Sequence, residues 1–396
     1  MTKKRLTILY VLHTTNPGNG ATVAFKNMLQ GLMSLGIMPV VALPDKKGIY
    51  KKLKEQGIPT ICCPNYRLST YPTLQGTKNK MLFLPRLVIR LILAQHAIHR
   101  IVREARALQI DLVHTNTSAL SIGFHVAKLL GVPHIYHIRE YADKIGLHII
   151  PSQNTLVSQL NDQRSYAICI SHDLQNYYHL SNNNAIVSYD GCCYHPTSLP
   201  NKKREPFFLF VGRVQQAKGI DMLLDAYATY HALSKAPYKI QIAGNIADHR
   251  YFLHMSAFIH AHGLENDIHF LGQRSDIDQL MQRASAIILA SPYEGFGLTF
   301  MEAARNGCLA IGRNTTGVKE QMDNGKKLTG ADIALPFLSV SELASAMLQV
   351  DKNGINYYDG YIKRAFQVVC NDLYDKRRNT QLVFDFYHNI IQKENF

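Results

Sequence analysis

Residues 286–303 read A-I-I-L-A-S-P-Y-E-G-F-G-L-T-F-M-E-A. The run from Ala286 to Ala290 has the length and composition of a buried strand, Gly295 and Gly297 punctuate a turn, and an amphipathic helix follows. That order puts Glu294 at the turn and Glu302 just over one helical turn inward. Between them, the backbone N–H groups of Gly295, Phe296, Gly297 and Leu298 lie at a helix N-terminus, where partial positive charge stabilises an anion. A surface turn with two solvated acids gives the same spacing. This stretch alone therefore leaves a phosphate site and a plain turn both open.

A second stretch upstream repeats the layout. Phe207 to Val211 is a β-type apolar run, Gly212-Arg213-Val214-Gln215-Gln216-Ala217-Lys218-Gly219 follows, and a helix opens at Ile220. Glycine allows backbone to approach a ligand closely. Arg213 offers a planar fork for phosphate, and Lys218 a flexible point charge. A solvated basic loop is the other reading of this element. Both elements in one half of the chain favour a shared diphosphate site over two unrelated loops.

These residues carry a resemblance. Gly212-Arg213 with Lys218-Gly219, then Glu294 and Glu302, then Gly317-Val318-Lys319-Glu320, resemble the C-terminal half of family 4 glycosyltransferases, retaining enzymes of the GT-B fold. The resemblance is densest from Phe207 to Met322. In the first half the matching pieces are the loop with Gly18 and Gly20, Asp111 to His114, Ile135 to His137, Ala167 to Ser171, and Asp190-Gly191, where the family usually has Asn-Gly.

The pattern along the chain agrees with two α/β domains. Short apolar runs alternate with helical segments, which argues for parallel sheets covered by helices on both faces. Strands are expected at Leu6–His13, Met38–Leu43, Leu112–His114, His134–His137, Ala167–Ile170 and Ala185–Val187. In the second half they are expected at Phe207–Val211, Lys239–Ala243, Ile268–Leu271, Ala286–Ala290 and Leu309–Ile311. Turn-formers and charge at residues 195–203 mark a linker. The expected domains are 1–195 and 196–370, two Rossmann-like domains facing across a cleft. The family's last helix crosses back to the first domain, and residues 371–396 are expected to do so here.

Composition sets outer bounds. A chain of 396 residues with 46% apolar content can fill two sizeable cores. No stretch reaches the roughly 18 apolar residues that read as a membrane span. Lys3-Lys4-Arg5 and the following apolar run imitate a signal peptide, but the run is short and has no small-residue cleavage site, so a core strand is expected. Seven cysteines with no C-x-x-C fit neither a zinc pattern nor a disulfide framework and suit a reducing cytoplasm.

The charge is uneven. Residues 1–195 hold 21 Lys+Arg against 9 Asp+Glu, net +12, and the remainder holds 22 against 20, net +2. The densest basic segment, 78–106, carries seven Lys or Arg and one acid, Glu104, among Leu, Ile and Val at helical spacing. It reads as an interfacial membrane element or as a core helix with a solvated basic edge; periodicity does not separate the two. No helix-turn-helix, zinc or aromatic–basic RNA motif accompanies the charge, so nucleic acid is not expected as a partner.

The resemblance implies roles for particular residues. Arg213 and Lys218 would grip the diphosphate of a nucleotide sugar, a UDP-sugar by preference, helped by Gly212. Glu302 would accept hydrogen bonds from the ribose hydroxyls, Glu294 would bind sugar hydroxyls, and Gly295, Phe296, Gly297 and Leu298 would hold sugar and phosphate oxygens through the backbone. Gln273 and Arg274 would lie near the base. The glycine loop with Gly18 and Gly20 would close near the phosphate and acceptor, although as a dinucleotide fingerprint its G-x-G is weak and a tight β–α turn explains it equally. His137 aligns with the family's active-site histidine. His114, Arg139 and Glu140 stand within reach of an acceptor, and the leaving phosphate itself is a candidate for removing the acceptor proton.

Asp276-Ile277-Asp278 is a D-x-D, which holds a divalent metal in other sugar transferases. Here it opens a helix, where acids are expected from capping and the helix dipole. With Arg213 and Lys218 present to neutralise the diphosphate, no metal and no cofactor beyond the donor is expected. The sequence thus reads as a cytoplasmic hexosyltransferase at the inner face of the membrane, acting on a lipid-linked or cell-surface polysaccharide precursor. Two other readings remain: a GT-B sugar-nucleotide epimerase, and a non-catalytic partner subunit that keeps the fold.

Overall fold

The computed structural model describes residues 5–64, 70–72, 77–144, 147–149, 152–191, 198–200 and 203–394. The chain divides into two compact units, Met1–Gly191 with Lys376–Phe396, and Cys192–Asp375. Most of the expected linker at 195–203 lies outside the described residues, as do Cys192 and Cys193. The other five cysteines are free thiols.

The first unit contains strands β1 (Thr7–Val11), β2 (Met38–Leu43), β3 (Thr60–Cys62), β4 (Thr70–Pro72), β5 (Leu112–Thr115), β6 (His134–Ile138), β7 (Leu147–Ile149), β8 (Ser165–Cys169) and β9 (Ala185–Val187). Seven of them form a parallel sheet in the order β3-β2-β1-β5-β6-β8-β9, and β4 pairs antiparallel with β7. Strands β5, β6 and β8 are buried at every position, as expected of parallel strands covered on both faces. On one face Tyr10, Phe25, Leu29, Ile135 and Ile168 pack with Val383, Phe384, Tyr387 and Ile390 of the helix Lys376–Glu394. The last helix therefore belongs to the first unit, as the resemblance implied. Two glycines let it approach: a Cβ at Gly31 would lie 2.7 Å from the Thr380 side chain, and one at Gly191 would lie 2.7 Å from the Lys376 Cα.

On the other face lies the helix Phe83–Arg106. Its second half buries Ala94, Ala97, Ile98, Ile101, Val102 and Ala105 against Leu9, Val11, Val40 and Val113. Its first half does not join that core, and Leu84, Val88, Ile89 and Ile92 are exposed there. The core-helix reading of this basic segment holds for its second half. Pro85 is tolerated because it falls in the first turn, where its missing N–H costs nothing.

The second unit holds β10 (Glu205–Val211), β11 (Lys239–Ala243), β12 (Ile268–Gly272), β13 (Ala284–Leu289), β14 (Leu309–Arg313) and β15 (Leu335–Phe337). They form one parallel sheet in the order β12-β11-β10-β13-β14-β15. Every strand expected from the sequence is present, with ends shifted by a residue or two. The unexpected ones, β3, β4, β7 and β15, are each three residues long, as is β9, which the sequence did mark. Strand β15 also carries Pro336, which is acceptable because β15 is at the sheet edge.

Candidate functional site

In each sheet the chain runs from its first strand to one edge, then returns and continues on the other side. The carboxyl ends of the two strands at that reversal diverge into a crevice where ligands bind. In the second unit the reversal lies between β10 and β13. The segments that leave them, 212–219 and 290–297, are the two stretches that opened the sequence reading.

Lys218 closes a short 3-10 turn, Gln216–Lys218, and Gly219 follows with φ of +71° and opens the helix Ile220–Leu233. A Cβ at Gly219 would stand 2.2 Å from the Ala290 carbonyl oxygen, so only glycine lets the two segments meet. They meet through charge. Lys218 Nζ donates to Glu294 Oε1 at 2.5 Å. Burial pushes the Glu294 carboxyl up, but Lys218, a hydrogen bond from Ser291 and the charge of Arg213 outweigh it, so the group sits below its usual range and is a carboxylate. The Glu294 backbone is clamped too: its N–H donates to Thr316 Oγ1 at 3.0 Å, and its carbonyl accepts from Gly317 N at 2.9 Å. A Cβ at Gly317 would lie 2.5 Å from that carbonyl oxygen, which explains the glycine in Gly317-Val318-Lys319-Glu320.

After Glu294, the helix Leu298–Arg305 starts from Gly297 in the left-handed region, and no side chain caps it. Phe300 N donates to the Gly297 carbonyl at 2.9 Å, and the first-turn N–H groups before it are left for a ligand or water. Glu302 is half-buried on this helix, and its carboxylate accepts no hydrogen bond from the described residues. Burial raises its carboxyl to about 7, with Arg305 opposing and Asp278 reinforcing the shift. Arg213 is exposed and forms no ion pair among the described residues.

Sequence reasoning missed two residues here. Arg313, at the end of β14, donates from Nη1 to the Ala290 carbonyl at 3.3 Å, while its buried Nε has no partner and no carboxylate among the described residues faces it. It is a third cation beside the crevice, after Lys218 and Arg213. Gly244, with φ of +159°, passes so close to the Gly212 carbonyl that a Cβ would stand 1.8 Å from its oxygen. The steric demand therefore falls on Gly244; at Gly212 a Cβ would make ordinary contact, at 3.4 Å from the Phe210 ring.

Gln273 and Arg274 follow β12, two strands away from β10, and no hydrogen bond ties them to the Lys218–Glu294 pair. Arg274 grips Asp276 with both ends of its fork, at 2.8 and 2.7 Å. Asp278 is held by Arg305 at 2.9 Å and by Asn306 at 2.7 Å. The expectation that Asp276 caps its helix is corrected: it occupies the cap position but makes no capping hydrogen bond, because Arg274 takes both oxygens. Among the described residues no three His, Cys, Asp or Glu stand together as metal ligands.

In the first unit the reversal lies between β1 and β5. The Gly18–Gly20 loop after β1 is braced locally. Asn16 accepts from Gly18 N at 3.0 Å, and Asn19 caps the helix Gly20–Ser34 by accepting from Ala21 N at 3.1 Å. A Cβ at Gly20 would meet nothing within 4 Å.

Behind the loop lies a buried polar chain. The Tyr387 hydroxyl is 2.5 Å from His114 Nδ1, and His114 Nε2 is 3.2 Å from His137 Nδ1. Arg139 Nη2 is 3.3 Å from the same His137 Nδ1, Arg139 Nη1 donates to both Asp190 oxygens at 2.5 and 2.7 Å, and Arg139 Nε donates to Asn116 at 3.3 Å. Burial first, and then the Arg139 charge, lowers both histidines well below their usual pKa, so both are neutral. A guanidinium only donates, so His137 Nδ1 accepts and the proton resides on Nε2. That Nε2 is buried without a partner. His137 therefore carries a free N–H donor; it is not a base. It also lines a cavity of about 30 Å³ with Asn27, Asp190 and Lys376.

Glu140 takes three hydrogen bonds on one oxygen, from the hydroxyls of Thr117 and Ser118 and from Ala119 N. Burial raises its carboxyl, against the pull of those bonds and of Arg139. Of the expected acceptor residues, His114, Arg139 and Glu140 all engage in bonds within the unit. Asp190, where the family usually has Asn, is the counter-ion of Arg139.

Residues 195–368 match the family model described as glycosyl transferases group 1. The second unit is a group 1 glycosyl transferase domain. An uncharacterised glycosyltransferase of Methanocaldococcus jannaschii is 24% identical over 221 residues, which span 54% of this chain and 59% of that relative's length. The whole chain is similar in fold to HepE of Anabaena, solved in complex with UDP, with a TM-score of 0.70, 20% identity, and coverage of 96% of this chain and 99% of that one. It is similar also to sucrose-phosphate synthase of Thermosynechococcus elongatus, with a TM-score of 0.73, 14% identity, and coverage of 98% and 100%. The expected fold, α/β with two Rossmann-like domains of GT-B type, is the fold of this chain. Within the glycosyl transferase domain, the Lys218–Glu294 pair sits at the sheet's reversal.

Proposed function

We propose that this protein is a retaining glycosyltransferase that moves a sugar from a nucleotide-diphosphate sugar to an acceptor hydroxyl. The observation that carries the reading is the charge arrangement in the crevice of the second unit. Lys218, Arg213 and Arg313 gather beside an uncapped helix N-terminus, and the carboxylate between them, Glu294, is tied to one of them alone. Such a site is built for two adjacent phosphates, whose charge grows as the sugar departs. Glu302, ionisable near neutrality and unpartnered, suits two ribose hydroxyls. The bound UDP of HepE, a protein of similar fold, supports UDP as the nucleotide.

In this reaction the bond from the anomeric carbon to the phosphate oxygen breaks and a bond to the acceptor oxygen forms. His137 is a neutral donor through Nε2, so it would hold a sugar hydroxyl and leave the acceptor proton to the departing phosphate. This supports the retaining course implied by the family resemblance. No metal is needed in the scheme, since the cations neutralise the diphosphate and both D-x-D acids are engaged by arginines. His114, Arg139 and Glu140 would shape the acceptor side. The acceptor proposed is a lipid-linked saccharide or another cell-surface polysaccharide precursor at the inner face of the membrane, a choice supported by the net +12 of residues 1–195.

The test is a panel of nucleotide sugars with release of nucleoside diphosphate as the readout, each reaction run with and without EDTA. Slow hydrolysis of one donor, unchanged by EDTA and lost in Lys218→Ala and Glu294→Ala, is the expected result. Arg313→Gln should weaken UDP binding about tenfold, the scale of one charge-assisted hydrogen bond. Interconversion of the donor without diphosphate release would replace the transferase with an epimerase. Absence of both hydrolysis and UDP binding would leave a non-catalytic protein.

A further inference from the structure

The first half of the helix Phe83–Arg106 is the largest unpartnered apolar feature among the described residues. Leu84, Val88, Ile89, Leu91, Ile92 and Leu93 are each more than a third exposed, and Leu84 reaches 68%. Met81, on the preceding turn, is 76% exposed. A water-facing helix normally turns its apolar residues inward, and a contiguous exposed set marks a surface that something covers. The second half of the same helix obeys the rule and packs into the core, and the first half continues beyond it.

Around the helix the exposed apolar residues cover a broad arc, and Leu93 falls on the same side as the arginines. At about 100° per residue, Leu84, Val88 and Ile92 form one ridge, and Arg86 and Arg90 form a stripe on the opposite side. Lys80 adds a cation at the near end. No acid occurs from residue 77 to 103, and the next one, Glu104, is taken by Arg100 at 3.0 Å. No helix among the described residues is long and apolar enough to cross a membrane.

We infer that residues 80–93 dock this protein on an anionic bilayer, with the Leu84–Val88–Ile92 ridge seated among the acyl chains and Arg86 and Arg90 at the headgroups. Charge decides between this occupant and a second copy of the chain. A copy would bring another basic segment and another net +12 half against this one, whereas anionic lipid complements both. The inference deepens the proposed reading by giving the enzyme a route to a lipid-linked acceptor. It rests on that reading only for its purpose, since docking is a physical property of the segment.

The experiment is flotation of the purified full-length protein with vesicles of phosphatidylcholine alone, or with 30 mol% phosphatidylglycerol, at low salt and at 0.5 M salt. Recovery with the anionic vesicles should exceed that with neutral ones at least tenfold. It should drop in high salt, and drop at least tenfold in Leu84→Asp with Ile92→Asp and in Arg86→Glu with Arg90→Glu. Leu84 and Ile92 are exposed, so melting temperature and donor hydrolysis without acceptor should stay unchanged in the aspartate variant. Equal recovery of wild type and variants would overturn the inference. So would a dimer in solution that the aspartate variant converts to monomer while vesicle recovery stays low, since a second copy would then be the occupant. Donor hydrolysis without vesicle binding removes the docking and keeps the transferase. Vesicle binding without donor hydrolysis does the reverse.

Discussion

Glu302 is half-buried without a hydrogen-bond partner, and burial lifts its carboxyl from 4.5 to about 7. The folded chain thus holds a proton there that the unfolded chain releases. Stability falls as pH rises from 4.5 to 7, and above 7 the full penalty is present, roughly 3 kcal/mol for a shift of that size. Glu302→Gln removes the penalty. We expect it to raise stability at pH 8 by up to roughly 3 kcal/mol and to change little at pH 4.5, measured by urea unfolding. The same substitution should weaken UDP binding, because the carboxylate is the form that would accept from ribose in the proposed site. Wild-type affinity should rise about tenfold from pH 6 to 8 relative to the variant, which corrects for titration of the phosphate itself. A variant that binds UDP as well as wild type would remove Glu302 from the site. Its identity as a candidate was legible from spacing and resemblance. Its unpartnered state was not, since that depends on which neighbours reach it.

At the scale of elements, glycines separate structural from functional demand. Gly219 is in the left-handed region and meets the Ala290 carbonyl, so Gly219→Ala should cost about 1–3 kcal/mol from backbone strain alone, and more from the clash. Gly20 has no positive φ and open space around it, so Gly20→Ala should leave stability within about 1 kcal/mol. Thermal unfolding of both variants checks this. Loss of turnover in a fully stable Gly20→Ala would show that the loop needs room for a ligand, and unchanged turnover would leave it a tight β–α turn. The strand–loop–helix elements around Gly219 and Gly297 were legible because apolar runs of five residues give way to turn-formers, Gly212 in one and Ser291-Pro292 in the other. Strand β15 was not, because three residues with a central proline carry no period. The helix Phe83–Arg106 had the period of one continuous element, but the split between its packed and exposed halves depends on where the sheet ends beneath it.

For the whole molecule, assigning the donor to the second unit has a direct consequence. UDP should slow amide exchange at residues 212–219 and 294–302 and leave the sheet of the first unit largely unchanged, as read by hydrogen–deuterium exchange. Protection confined to the first unit would reverse the assignment. A ligand bound at 100 times its dissociation constant stabilises the state that binds it by about 2.7 kcal/mol, enough to see in the exchange of the second unit.

By itself the sequence determined the fold class, the two sheets and the segments proposed to bear the donor site. Alternating apolar runs and turn-forming stops are local, and they set most of the strands of both sheets without reference to distant residues. Sequence reasoning also found Lys218 and Glu294, 76 positions apart, but only tertiary structure put them 2.5 Å from each other, because sheet order brings β10 beside β13. Tertiary structure alone decided that Arg139 holds His137 as a neutral donor, that Tyr387 of the last helix closes the chain behind His114, and that both D-x-D acids are taken by arginines. The physical reason is the same in each case. Protonation, tautomer and ion pairing depend on burial and on neighbours within hydrogen-bond reach, and the fold sets those neighbours.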